Sequence, residues 1–279
     1  MASRWQSARR NQIAIFNDAG NPCGGNRMSK CGVSAVVLNL LVSGGALAEP
    51  TICTNLSVID PRDGSVQTGQ AVVVENGLIQ NVVPAATAPS GIIVDASGKF
   101  VVPGYNDMHA HSLFPPGGDP NTGSAYTEDA QTAQEAYWSL LLANGVTGFR
   151  QMSGSAKILE YGRAVKARIE SGELIAPEVL QSTGEIYTGQ GGTADAAREF
   201  VRTQAKDGAD LFKITGGPRD GILAAMDEAD GLRLDVAGHL PGSLSTQEAI
   251  AAGWDTFEHL GSGLDNILDY SPAAPQIRE

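Results

Sequence analysis

From about residue 100 onward the chain alternates short apolar runs with helix-like segments, and this rhythm restricts the fold more than any other feature. Strands are expected over 101–108, 145–150, 178–181, 210–214, 233–239 and 255–259. Helices are expected over 129–144, 156–171, 194–207, 221–228 and 245–252. Ala136, Leu140 and Ala143 share one face of the first helix, and Phe200, Val201 and Ala205 face inward on the third. Repeated β-then-α units call for a parallel sheet with helical crossovers. The fold class is therefore α/β. Six such units exceed half of a dinucleotide-binding fold and fall two short of an eight-stranded barrel. No Gly-x-Gly-x-x-Gly follows the first of these strands, which weakens a dinucleotide-binding reading.

Residues 49–100 follow a different pattern, in which short strands succeed one another. Asp60-Pro-Arg-Asp-Gly64 is a turn cluster. Asn76-Gly77, between two apolar runs, signals a tight hairpin. The domain reading is thus a small β portion at 49–100 and an α/β portion at 101–279.

The first 48 residues stand apart. Lys30 precedes an apolar run that closes on Ala46-Leu47-Ala48, the small-x-small pattern of a signal-peptidase site. We read 28–48 as a signal peptide and 1–27 as an upstream extension without structure, so the protein is expected to be exported, periplasmic or secreted. The run is too short and Gly-rich for a membrane span. Cys23 and Cys31 precede the expected cut, leaving Cys53 alone and no internal disulfide in the mature chain. A formal charge of −12 disfavours nucleic acid and anionic membrane surfaces as partners. The expected partner is a small-molecule substrate; whether the protein forms a homo-oligomer is open.

The chain has four histidines, and all four fall at expected strand ends. His109 and His111 lie two apart at the end of the first α/β strand, so both side chains point to one face. His239 ends the fifth strand and His259 the sixth. In barrels, sites form at the C-terminal mouth of the strands, where the four could meet. Imidazole nitrogen suits Zn, Fe, Ni or Co. Lys213 ends the fourth strand between Phe212 and Ile214. On its residues alone it is either a lysine snorkelling from the sheet edge or one carbamylated by CO2 into an anionic bridge.

The stretch Val102-Pro-Gly-Tyr-Asn-Asp-Met-His-Ala-His111 resembles the strand-one motif of the metal-dependent amidohydrolase superfamily. Asn144–Arg150, Gly208–Gly217, Val236–Pro241 and Ala252–Leu260 resemble its second, fourth, fifth and sixth strands. The likeness runs over about 53–263 and is nearest the imidazolonepropionase-like and Xaa-Pro-dipeptidase-like branch. It implies a (β/α)8 TIM barrel, here with about six of its eight strands, flanked by a β-sandwich to which 53–100 would contribute. It implies His109 and His111 on a buried metal, Lys213 as a carbamate bridge, and His239 and His259 on a second metal. One or two zinc ions would be the cofactor. The implied activity is hydrolysis of carbon–nitrogen bonds in amides, cyclic amides or dipeptides by metal-activated water. An imidazolone, an Xaa-Pro dipeptide and an acylated amino acid all fit.

In this superfamily an aspartate ending the eighth strand serves as the base. The chain ends at Glu279, 20 residues after His259, and Asp265 and Asp269 stand too close behind the sixth strand to take that part. A C-terminal truncation is expected, and with it an alternative: a metal-binding fragment without turnover. A barrel isomerase or lyase with chance histidines is a third reading. Three further residues are candidates for supporting roles. Asp107 could orient a ligand or close a strand-end hydrogen bond. Arg150 could clamp a substrate carboxylate or form a salt bridge. Tyr187, in the third strand-to-helix loop, could line a pocket. Glu258 alternates to the strand face opposite His259, so a structural role is expected for it.

Overall fold

The computed structural model describes residues 13–17, 36–37, 49–113 and 128–259. Most of the expected signal segment, the loop after Leu113, and Asp265 and Asp269 lie outside the described residues.

The N-terminal sheet contains β1 (Ile13–Asn17), β2 (Val36–Val37), β3 (Thr51–Ile59), β4 (Val66–Glu75), β5 (Leu78–Pro84) and β7 (Lys99–Pro103), in the order β2-β1-β7-β3-β4-β5, with β6 (Ile92–Asp95) also paired to β3. Asn76 and Gly77 both take positive φ, 51° and 73°, as the β4–β5 hairpin turn requires. Along β3 and β4 the side chains alternate between two small cores. Cys53, Leu56, Val72 and Val74 lie in one, and Ile52, Ala71 and Val73 in the other. The extension at 1–27, expected to lack structure, contributes β1. Its Ile-Ala-Ile-Phe run has strong strand preference, and it pairs antiparallel with β7.

The run at 101–108, expected as one strand, is two. It breaks at Pro103-Gly104, separating β7 from β8 (Tyr105–Ala110). Proline cannot donate to a sheet ladder. A side chain at position 104 would overlap that of Thr147. β8 joins β9 (Val146–Gln151) and β10 (Glu178–Ser182) in the order β10-β9-β8. A further sheet, β11 (Leu211–Ile214), β12 (Asp235–Gly238) and β13 (Thr256–Phe257), is parallel throughout.

The helices are α1 (Glu128–Ala143), α2 (Ala156–Glu170), α3 (Ala194–Asp207), α4 (Arg219–Leu232) and α5 (Thr246–Ala251). On α1 the expected face is reversed: Leu140 is 62% exposed, while Trp138 and Leu142 are buried. Trp138 carries far more apolar area than the alanines that suggested the other face. α4 is longer than expected and ends at Arg233 in the left-handed region. α5 opens with a complete capping box between Ser245 and Glu248. Glu248 also pairs with Arg219. These bonds hold its carboxyl down at about 2, Arg219 contributing most. No helix among the described residues is long and apolar enough to cross a membrane.

The chain divides into two compact units, residues 1–107, 132–149 and 165–180 in one and 108–131, 150–164 and 181–279 in the other. In the second unit, Phe212, Ile214 and Val236 pack with Ile222, Ala225, Met226 and Trp254 in one core. Leu211, Ala237 and Met152 form a separate cluster. Residues 212 and 214 therefore share one face of β11 and 211 the other, which is the two-residue strand period at work. Every site residue discussed below except Asp107 lies in this second unit.

Candidate metal centre

Parallel register sets the site. Lys213 pairs with Ala237 and Ala237 with Thr256, so these three share a row. Lys213 thus projects from the same face as Leu211 and is only 3% exposed. A lysine snorkelling to water is corrected by this burial, because the face it occupies is covered. His239 follows β12 by one residue, two after Ala237. Its N–H donates to the Ile214 carbonyl at 2.9 Å. The preceding Gly238 has φ of 144°, and a side chain there would collide with that same carbonyl. Only glycine holds this approach without strain.

All four histidines come together. The ring centroids of His109 and His259 are 4.3 Å apart, those of His239 and His259 5.0 Å, and those of His109 and His111 5.5 Å. Lys213 Nζ stands 3.4 Å from His109 Nε2. His111 Nδ1 lies 2.8 Å from the Ser153 hydroxyl, a partner the sequence reading missed. His259 reaches the cluster through a left-handed backbone with φ of 62°. That conformation costs a non-glycine residue about 1 kcal/mol or more.

Three groups are pushed toward their neutral forms. Burial lowers the His109 pKa, with Lys213 and His259 adding to the shift and Glu258 opposing it. Burial also lowers His239, helped by Lys213, His259 and His109. The Lys213 amine is lowered chiefly by burial and further by Arg150, against the pull of Glu258. Neutral imidazole is the form that ligates metals.

The donor chemistry fits a divalent ion. His239 Nε2 is buried without a hydrogen-bond partner, and a coordinate bond would satisfy it. The arrangement is nonetheless not a closed coordination sphere. Among the described residues no three His, Cys, Asp or Glu side chains are grouped to hold a metal. Ring spacings of 4.3–5.5 Å with tilts of 45–65° are those of packed imidazoles.

Known proteins give this cluster a context. Over 124 residues the chain is 33% identical to a dihydroorotase of Pelobacter propionicus, a match covering 44% of this chain and 24% of that one. Over 93 residues it is 41% identical to a dihydroorotase of Trichlorobacter lovleyi, covering 33% and 17%. A solved Xaa-Pro dipeptidase with methionine bound in its active site matches at a TM-score of 0.61 and 20% identity, over 82% of this chain and 64% of that one. A solved amidohydrolase matches at 0.61 and 21%, over 75% and 60%. These matches support a resemblance to the amidohydrolase superfamily. No family model matches it. The chain spans a quarter or less of these two dihydroorotases and under two thirds of these two solved chains.

The supporting residues are placed as follows. Arg150 takes the salt-bridge alternative, with Glu258 as its partner. The arginine is 3% exposed, donates Nε to the Met108 carbonyl at 2.7 Å and Nη1 to the Thr256 hydroxyl at 3.2 Å, and pairs Nη2 with Glu258. Tyr187 is fully buried against Phe200 and Phe212, where its ring contributes roughly 1.5–3 kcal/mol of apolar burial. Asp107 is exposed on β8. Glu258, expected away from the site, is 7% exposed and lies 2.5 Å from His109 Nδ1. The reason is again register: Glu258 is two residues beyond Thr256, on the Lys213 row, and it is His259 that departs from strand alternation.

Proposed function

We propose that this chain hydrolyses a carbon–nitrogen bond in a small amide, cyclic amide or dipeptide, with His109, His111, Lys213, His239 and His259 holding one or two divalent ions, zinc foremost. The observation that carries this reading is the gathering of all four histidines of the chain around a buried lysine. The superfamily's general use of divalent metals supports it. The dihydroorotase likeness adds a dihydroorotate-type ring, itself a cyclic amide, to the candidate substrates. The structural likeness to an Xaa-Pro dipeptidase keeps a dipeptide among them.

We also place β8 to β13 in the arc of a (β/α)8 barrel, with the N-terminal sheet as part of a flanking sandwich. The strands follow one another in chain order, and parallel bridges Thr183↔Leu211 and Tyr187↔Ile214 connect the segment after β10 to β11. A barrel mouth at these strand ends is where a substrate would enter.

A bound divalent ion would polarise the scissile carbonyl and bring a water nearer to ionisation at neutral pH. The chain's own residues prepare for that. Burial favours the neutral imidazoles of His109 and His239. The neutral amine of Lys213 is the form that adds to CO2, forming an N–C bond and releasing one proton to give an anionic carbamate. The resemblance assigns the proton-accepting aspartate to an eighth strand, and no described residue takes that role. Export through the segment at 28–48 belongs to the same proposal.

The test is a hydrolysis panel: dihydroorotate, Xaa-Pro dipeptides and N-acyl amino acids, with protein reconstituted in zinc and bicarbonate. Turnover of one class is expected, abolished by a chelator and restored by zinc. Turnover unaffected by exhaustive chelation would overturn the reading.

A further inference from the structure

We propose that Glu258 is a positioning residue that fixes His109 in one tautomer and one orientation, and that Arg150 and Thr256 hold Glu258 for the task. The proposal rests on the reading of His109 as a metal ligand and assigns how that ligand is held.

The two carboxylate oxygens of Glu258 have separate partners. Oε1 accepts from Arg150 Nη2 and, at 3.1 Å, from the Thr256 hydroxyl. Oε2 lies 2.5 Å from His109 Nδ1. An ionised carboxylate can only accept, so the Nδ1 of His109 carries the proton. The other ring nitrogen, Nε2, is thereby left with its lone pair and is turned toward Lys213, 3.4 Å away.

The arrangement is more than a buried ion pair that happens to lie nearby. Arg150 would be matched by a carboxylate reached from either oxygen. Here one oxygen is committed to Arg150 and Thr256, which aims the other at the imidazole. The chain builds this from three distant places: His109 on β8, Arg150 on β9, and Glu258 just past β13. Glu258 is 7% exposed and Arg150 3%. Glu258 N–H also donates to the Gly238 carbonyl at 2.8 Å, anchoring its backbone to β12. A carboxylate behind a ligating histidine fixes ring orientation and strengthens the ligand, and losing such a partner typically costs about 10–100-fold in metal affinity.

Glu258→Gln tests this with almost no change of volume. Its amide can still accept from Arg150, but the NH2 then faces His109 Nδ1 and can only donate. The proton must move to Nε2, where it blocks the lone pair. Two measurements on the full chain are needed. Long-range proton–nitrogen NMR of the metal-free protein should show the Nδ1–H tautomer of His109 in the wild type and its loss in Glu258→Gln. Competition with a chromogenic chelator should show zinc bound about 10–100-fold more weakly by the variant, with circular dichroism unchanged. Glu258→Asp should recover part of the affinity. Wild-type zinc affinity in a folded Glu258→Gln protein, or an unchanged His109 tautomer, would overturn the proposal. If the wild type itself binds no zinc, the functional reading fails, and the tautomer comparison alone then decides for or against Glu258 as the residue that orients His109.

Discussion

Arg150→Met is expected to lower stability by about 3–5 kcal/mol, the usual loss when one partner of a buried ion pair is removed. Arg150 is 3% exposed, and its guanidinium satisfies three acceptors: the Met108 carbonyl, the Thr256 hydroxyl and the Glu258 carboxylate. Methionine fills much of the space but donates to none of them. The Glu258 carboxylate would then lie buried without its guanidinium partner, keeping its contacts to His109 and Thr256. Denaturant midpoints at neutral pH measure the loss. The double variant Arg150→Met, Glu258→Met should be far less destabilised, because it removes the stranded charge along with its partner. A single variant within about 1 kcal/mol of wild type, the range of exposed pairs, would show that the pair does not brace the sheet.

Lys213→Met is expected to separate stability from function. The amine is buried and its charged form is disfavoured there. Replacing it with an apolar side chain of similar volume should leave stability unchanged or slightly raised, as for other buried charges exchanged for well-packed apolar groups. Zinc affinity in bicarbonate should nonetheless fall by about 100-fold or more, beyond the range seen for lost supporting groups. Loss of stability with full zinc affinity would make Lys213 a packing residue.

That the four histidines and Lys213 come together was legible in residue order alone. His109, His111, Lys213, His239 and His259 stand at strand ends, and the β-then-α rhythm brings strand ends together. The Asn76-Gly77 turn was equally local, since its positive φ values depend on two adjacent residues. What escaped the sequence depended on register between distant strands. Glu258 faces His109 because Thr256 aligns with Ala237 and Lys213. His259 joins the cluster by a left-handed residue that strand periodicity does not anticipate. Arg150 finds its partners 106 and 108 residues away, and no local pattern distinguishes that from a substrate clamp. Tyr187 looked like a loop residue beside glycines, yet Phe200 and Phe212 enclose it. On α1, counting alanines and leucines by spacing missed that one tryptophan would determine the buried face.

The central claim is that the four histidines and Lys213 form a metal centre. Elemental analysis of the full chain after dialysis against zinc and bicarbonate tests it most directly, with His109→Ala measured alongside. At least one zinc per chain is expected for the wild type, with a marked loss in the variant. Less than one ion per wild-type chain, with no difference on His109→Ala, would contradict the account.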